Sequence, residues 1–194
     1  MAVDMFEDRV KYLLEVVERE INFNEVSYTD KEILQELKRE LGFLNGKAVG
    51  HLSKRTIDEL DIDVLSGKQG ALVMLRFNLG DMVSAAKASF LAEEKALELK
   101  KYKYRDKIEA DFLDKKIKVT QRKIDGEVAK QTFTKELRVI KKEERYDRLK
   151  NLYYDLKELV ESMKLRIYVL MSLKSQGKYL DNSVPLPPDI EINT

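Results

Sequence analysis

Residues 69–108 read QGALVMLRFNLGDMVSAAKASFLAEEKALELKKYKYRDKI. An apolar repeat runs through Leu72, Leu75, Leu79, Met82, Val83, Ala86, Phe90 and Leu97 to Tyr104 and Ile108 without a breaker, which predicts one helix of about forty residues. Val83, Phe90, Leu97 and Tyr104 are spaced by sevens, the period of a seam that faces another helix. Gly80 sits inside the pattern as a weak point costing about 1 kcal/mol relative to alanine.

A second seam follows downstream. From about Lys135 to Gln176, Leu149, Leu156, Met163 and Leu170 repeat by sevens, with Leu152, Leu159 and Leu173 three residues after the first, second and fourth of them. Arg166 takes the place that leucine holds in the other repeats, either as an inward specificity device or as a snorkelling boundary residue. Tyr153, Val160 and Ile167 widen the stripe, so this helix is expected to meet more than one neighbour, from its own chain or another subunit. Two long helices with facing stripes bury them by folding back on each other or by pairing between chains. The expected fold is therefore all-α: a long antiparallel helical hairpin with a small N-terminal helical head, forming an oligomeric helical assembly.

Upstream, Phe6, Val10, Leu13, Leu14, Val17 and Ile21 follow the spacing of an amphipathic helix, which Asn22 and Asn24 interrupt. Thr29 to Glu32 reads as a capping box opening a helix with Ile33, Leu34, Leu37 and Leu41 buried and Gly42 as its C-cap. After the glycine-rich stretch GFLNGKAVGHL, Ser53 can cap a short helix through Ile57, Leu60 and Leu65 to Gly67. Between the long helices, Thr120 can cap a short turn carrying Ile124 and Val128, and Thr132 or Thr134 can cap the final helix. The organisation read from this is a helical head over 1–67, a hairpin over 68–178 with a basic tip at about 98–150, whose last helix ends at Gly177, and an acidic, proline-bearing tail over 179–194.

Composition agrees. Charged residues make up 37% of the 194, Gly and Pro number 8 and 3, and all three prolines, Pro185, Pro187 and Pro188, lie in the tail. A helix-interior proline costs about 3 kcal/mol, so the first 184 positions are free to be helical. Without cysteine, disulfides, thiolate zinc sites and a cysteine nucleophile are excluded, and a reducing cytoplasm is the expected compartment. No signal-peptide core and no run of about 18 apolar residues is present, so neither secretion nor a membrane span is expected.

Little chemistry is legible. The only histidine, His51, has no ligand-spaced companion and reads as a surface or capping residue. LNGKAVGHL lacks the spacing and the Lys-Ser/Thr pair of a phosphate loop. Glu93-Glu94 and Glu143-Glu144 point in different directions on solvated helices, which does not make an acid and base couple. No cofactor and no enzymatic activity are expected.

One signal rises above this background. The net charge is only +1, yet residues 98–150 hold 18 Lys and Arg against 11 Asp and Glu, a local excess of +7. KKYKYR places Lys100, Lys101, Lys103 and Arg105 around Tyr102 and Tyr104, and Lys107 follows. Lys115, Lys116, Lys118, Arg122, Lys123 and Lys130 continue the run across the linker, and Lys135, Arg138, Lys141, Lys142, Arg145 and Arg148 open the last helix. Lys and Arg hold phosphates with a salt-dependent counterion gain, and aromatic rings stack unpaired bases at about 1–3 kcal/mol each. Tyr102, Tyr104, Phe112 and Phe133 are the candidate stacking rings. A plainer reading puts Tyr104 in the seam and leaves the lysines to keep a long helix soluble.

The stretch from about Leu91 to Ser175 resembles the bacteriophage recombination mediators of the UvsY type. The likeness rests on a long basic helix, then Lys118-x-Thr120 followed by Ile124 and Val128. A long helix comes next, with Tyr146 or Tyr153 in its first half and Arg166 near its end. The resemblance covers less than half of the chain and leaves out the N-terminal seventy residues. It implies a ring-like homo-oligomer that binds single-stranded DNA without sequence preference and helps load a RecA-like recombinase in place of a single-strand binding protein. Lys118 and its basic neighbours would touch DNA, Thr120 would be a structural cap, and the location would be the host cytoplasm. The alternative from another class is a coiled-coil assembly or scaffold protein acting through protein contacts. Under that reading the seams, including Leu156 and Met163, join subunits.

Overall fold

The computed structural model describes residues 2–45, 62–115 and 120–175, with side chains from Asp8 onward and without those of 173 and 174. The expectations placed on Phe6, His51, Ser53, Ile57, Leu60, Lys116, Lys118, Leu173, Gly177 and the tail lie outside what is described. Four helices follow in order: α1 (Ala2–Ile21), α2 (Tyr28–Phe43), α3 (Ile62–Asp114) and α4 (Gln121–Ser175). There is no strand among the described residues. No described helix is long and apolar enough to cross a membrane. The two long helices pack together as a helical hairpin.

The chain divides into two compact units, one of residues 1–81 with 150–194 and the other of residues 82–149. The first joins α1 and α2 to the beginning of α3 and the end of α4. Val10, Leu13 and Val17 of α1, Leu34, Leu37 and Leu41 of α2, Leu72 and Leu79 of α3, and Leu152, Leu156 and Leu159 of α4 are buried in it. Ion pairs close its edges: Lys38 with Glu18 at 2.7 Å, Lys68 with Glu40 at 3.1 Å, and Arg9 with Glu158. The expected heptad residues Leu149, Leu156, Met163 and Leu170 are all buried within the single chain, as are Tyr153 and Ile167 in part or whole. Arg166 is half-buried, and that burial pulls its guanidinium below the ordinary arginine range.

Several boundaries differ from the sequence reading. Ser27, not Thr29, caps α2: its Oγ accepts from the Asp30 N–H at 3.1 Å, two residues ahead of the expected box. Gly42 is not the C-cap of α2, which runs on to Phe43; the cap is Leu44, whose N–H bonds the Glu40 and Leu41 carbonyls. Gly67 does not end a short helix but lies inside α3, which begins at Ile62 instead of near Gln69. In both places burial of flanking leucines, Leu41 with Leu44 and Leu65 with Leu72, outweighs the glycine's weak helix preference. Thr132 and Thr134 cap nothing. Thr132 is buried in the interior of α4, its hydroxyl donating to the Val128 carbonyl at 2.9 Å, and α4 starts fourteen residues before Lys135. Thr120 directly precedes α4, and its carbonyl accepts from the Lys123 N–H at 2.9 Å.

The second unit is an antiparallel pair of α3 and α4. Ser89 accepts from Lys142 Nζ at 2.9 Å, Phe90 stacks on Tyr146 with ring centroids 6.4 Å apart, and Lys101 meets Glu136 at 2.6 Å. Of the 26 apolar residues buried among the described residues, only six, Met82, Ala86, Leu97, Ile124, Val128 and Leu149, belong to it. Val83 and Phe90 of the expected seam are half-buried. Two helices without a third cover one side of each other only, so most of this unit's surface faces outward.

Candidate nucleic-acid interface

All the described members of the basic run lie in the second unit, where residues 82–149 hold 19 Lys and Arg against 13 Asp and Glu. Their placement depends on the pitch of the helix. Each residue turns the chain by about 100°, so neighbours in KKYKYR point in different directions while residues three, four or seven apart share a face.

One face of α3 carries Glu98, Lys101, Tyr102 and Arg105, which line a shallow groove with Asp125, Val128, Ala129 and Glu136 of α4. Across it, Arg105 is paired with Asp125 and Lys101 with Glu136. At the centre of the contact, Lys135 lies 3.9 Å from Glu93, and Lys142 is held by Ser89. These four cations of the predicted site are thus tied to partners on the facing helix. Lys130 is paired within α4 to Glu127 at 2.7 Å.

Lys100, Lys103 and Lys107 occupy the other flank of α3, at three- and seven-residue spacing. Arg138 and Lys141 occupy the matching flank of α4, turned away from Asp125, Ala129 and Glu136. All five are exposed, and none forms an ion pair among the described residues. The carboxylates of these stretches, Glu98, Glu136 and Glu143, lie on the groove side, with Asp106 and Glu144 between the two flanks. Lys115, Arg122 and Lys123 are exposed at the end where α3 stops and α4 starts.

The aromatic residues do not join this cationic flank. Tyr102, 65% exposed, opens onto the groove, and Tyr104 is half-buried toward α4, the position its heptad spacing requires. Phe112 is half-buried, and Phe133 is exposed beside Gly126 and Ala129 on the groove side. The alternation of Tyr and Lys along the chain therefore distributes the two chemistries around the helix instead of interleaving them. What the flank offers is a row of exposed ammonium and guanidinium groups suited to phosphates spaced along a flexible backbone. Sequence reasoning found the basic region but not which of its cations are free, because each neutralising carboxylate comes from the opposite helix or from a turn away. Comparison of the chain with protein-family models, with curated proteins and with solved structures finds no match.

Proposed function

We propose that the chain is a nucleic-acid-binding accessory protein that holds single-stranded DNA by its phosphates without reading sequence. In this reading it acts in recombination as a mediator that helps a RecA-like recombinase replace a single-strand binding protein. The carrying observation is the flank of five unpaired cations, Lys100, Lys103, Lys107, Arg138 and Lys141, on one side of a helix pair whose other side is charge-balanced. The resemblance of residues 91–175 to the UvsY type supplies the recombination context.

The test is fluorescence anisotropy of a labelled oligo-dT titrated with protein across a salt series. Each single-strand phosphate contact contributes about 0.7 to the slope of log K against log salt. Replacing the five cations with glutamine is expected to abolish binding at moderate salt, whereas Lys101→Gln with Arg105→Gln is expected to weaken it little. Binding by the five-residue variant equal to the parent overturns the assignment.

A second reading, assembly or scaffold protein, draws on the apolar residues exposed on the groove side. It cannot work through Leu156 and Met163, which are enclosed by their own chain. It predicts an assembly whose mass ignores nucleic acid.

A further inference from the structure

We infer that the first unit carries a stacking site for unpaired nucleic-acid bases, a face of rings and cations built by α3 and α4 beside the contact of Gly80 with Tyr153. The inference takes its class of ligand from the nucleic-acid reading and goes beyond it, to the other unit and to a chemistry that the cationic flank lacks.

On α4, Tyr154, Lys157, Glu161, Lys164 and Tyr168 follow one another at alternating steps of three and four residues, which puts them on one stripe about 21 Å long. All five are exposed, Tyr154 at 52% and Tyr168 at 73%. α3 comes alongside where the Tyr153 ring lies 3.5 Å from the place of a Gly80 β-carbon. Arg76 and Phe77 stand one turn before Gly80, and Lys157 one turn after Tyr153, so in a hairpin the three lie level. Phe77 is 60% exposed with the Arg76 guanidinium 5.4 Å from its centre, and Tyr154 is set edge-on to Tyr153. The short helices are tied to other sides of the unit, through Arg9 with Glu158 and Glu40 with Lys68.

A single exposed ring is ordinary; three joined by cations mark a contact surface. Arg76, Lys157 and Lys164 form no ion pair among the described residues, and Nε of Arg76 is enclosed without a hydrogen-bond partner. Glu161 is the only carboxylate on the stripe. The positive face is not the by-product of a basic body, because residues 1–81 and 150–194 hold 17 Lys and Arg against 22 Asp and Glu. Rings and unneutralised cations on one stripe suit a ligand made of flat rings joined by anionic links. An unpaired strand has that chemistry, since every base offers a π-face and every linkage a phosphate. Arginine adds a planar cation that itself stacks on rings. In a duplex the bases are stacked on each other, so this face favours the single strand where phosphate contacts alone do not.

The variant with the five flank cations replaced by glutamine is the background for the test. It is titrated at low salt with labelled oligo-dT and with an abasic oligomer of the same length and charge. Residual binding of oligo-dT is expected, with the abasic strand weaker by at least about five-fold. Adding Phe77→Leu, Tyr154→Leu and Tyr168→Leu, which change no charge, should bring oligo-dT down to the abasic level while helical circular dichroism is kept. Lys157→Gln with Lys164→Gln, which leaves every ring in place, should lower the salt slope by about 1.4. No residual binding, equal affinity for the two strands, or a ring variant that binds oligo-dT as before overturns the inference. A parent that still binds oligo-dT then leaves the phosphate-holding reading standing, whereas a parent that binds neither strand overturns both.

Discussion

A β-carbon placed on Gly80 of α3 would lie 3.5 Å from Cε2 of Tyr153 on α4, an ordinary van der Waals separation. The two helices approach closely here, yet with room for one methyl group and no more. Gly80→Ala is therefore expected to stabilise the protein by about 1 kcal/mol through helix propensity alone. Gly80→Leu should destabilise it by pushing the Tyr153 ring aside. Thermal unfolding of the two variants checks the pair, and loss of stability in the alanine variant contradicts the geometry.

Glu40 is almost fully buried, and Lys68 meets both its oxygens, at 3.2 and 3.1 Å, while lying 4.5 Å from the centre of the Phe43 ring. Lys68→Met would leave the carboxylate inside with only Arg39, at 3.3 Å, to answer it. The expected cost is about 3 kcal/mol, most of it recovered in the double variant Glu40→Leu, Lys68→Met. Denaturant unfolding of the single and double variants measures the coupling directly.

The N-terminus of α2 distinguishes two candidate caps. Ser27→Ala removes the acceptor of the Asp30 N–H and should cost about 1 kcal/mol. Thr29→Ala, exposed and one residue inside the helix, should leave the melting temperature nearly unchanged. Equal effects from the two would place the cap where the sequence alone suggested.

Burial pushes the Asp155 carboxyl above the ordinary aspartate range; the nearby Arg9 guanidinium opposes the shift and Glu158 adds to it. A raised value in the folded state means that the native form holds this proton more tightly than the unfolded chain does. The favourable contribution is then complete below the unfolded-state value and is lost as pH rises through the folded-state value. Asp155→Asn should accordingly raise the melting temperature at neutral pH, with the gain shrinking as the solution is acidified through the raised folded-state value and absent below the usual aspartate value. A gain that persists unchanged in acid contradicts this.

The hairpin was legible because its signal is long: Leu149, Leu156, Met163 and Leu170 repeat over three heptads and all are buried. Element ends were not, because they depend on single residues whose competitors lie nearby. Ser27 and Thr29 are both acceptable caps by type, and only backbone geometry selects between them. Gly42 and Gly67 look like punctuation but are held in helices by leucines on either side. Thr132 looks like a cap until its hydroxyl is seen satisfied inside α4. The same limit applies to the basic region. Arg105 and Asp125 are twenty residues apart, and Lys101 and Glu136 thirty-five, so their mutual neutralisation is invisible along the chain and follows only from how α3 and α4 align.

The separation of charge between the two flanks of the second unit has a kinetic side. Lys100, Lys103, Lys107, Arg138 and Lys141 stand together and exposed on one flank, so their positive charge extends into the solvent on that side. Under the proposed nucleic-acid reading, a polyanion at several ångströms' distance would turn that flank toward itself before any contact is made. Salt would then act first on the frequency of successful encounters, over a range set by the Debye length of about 8 Å in physiological salt.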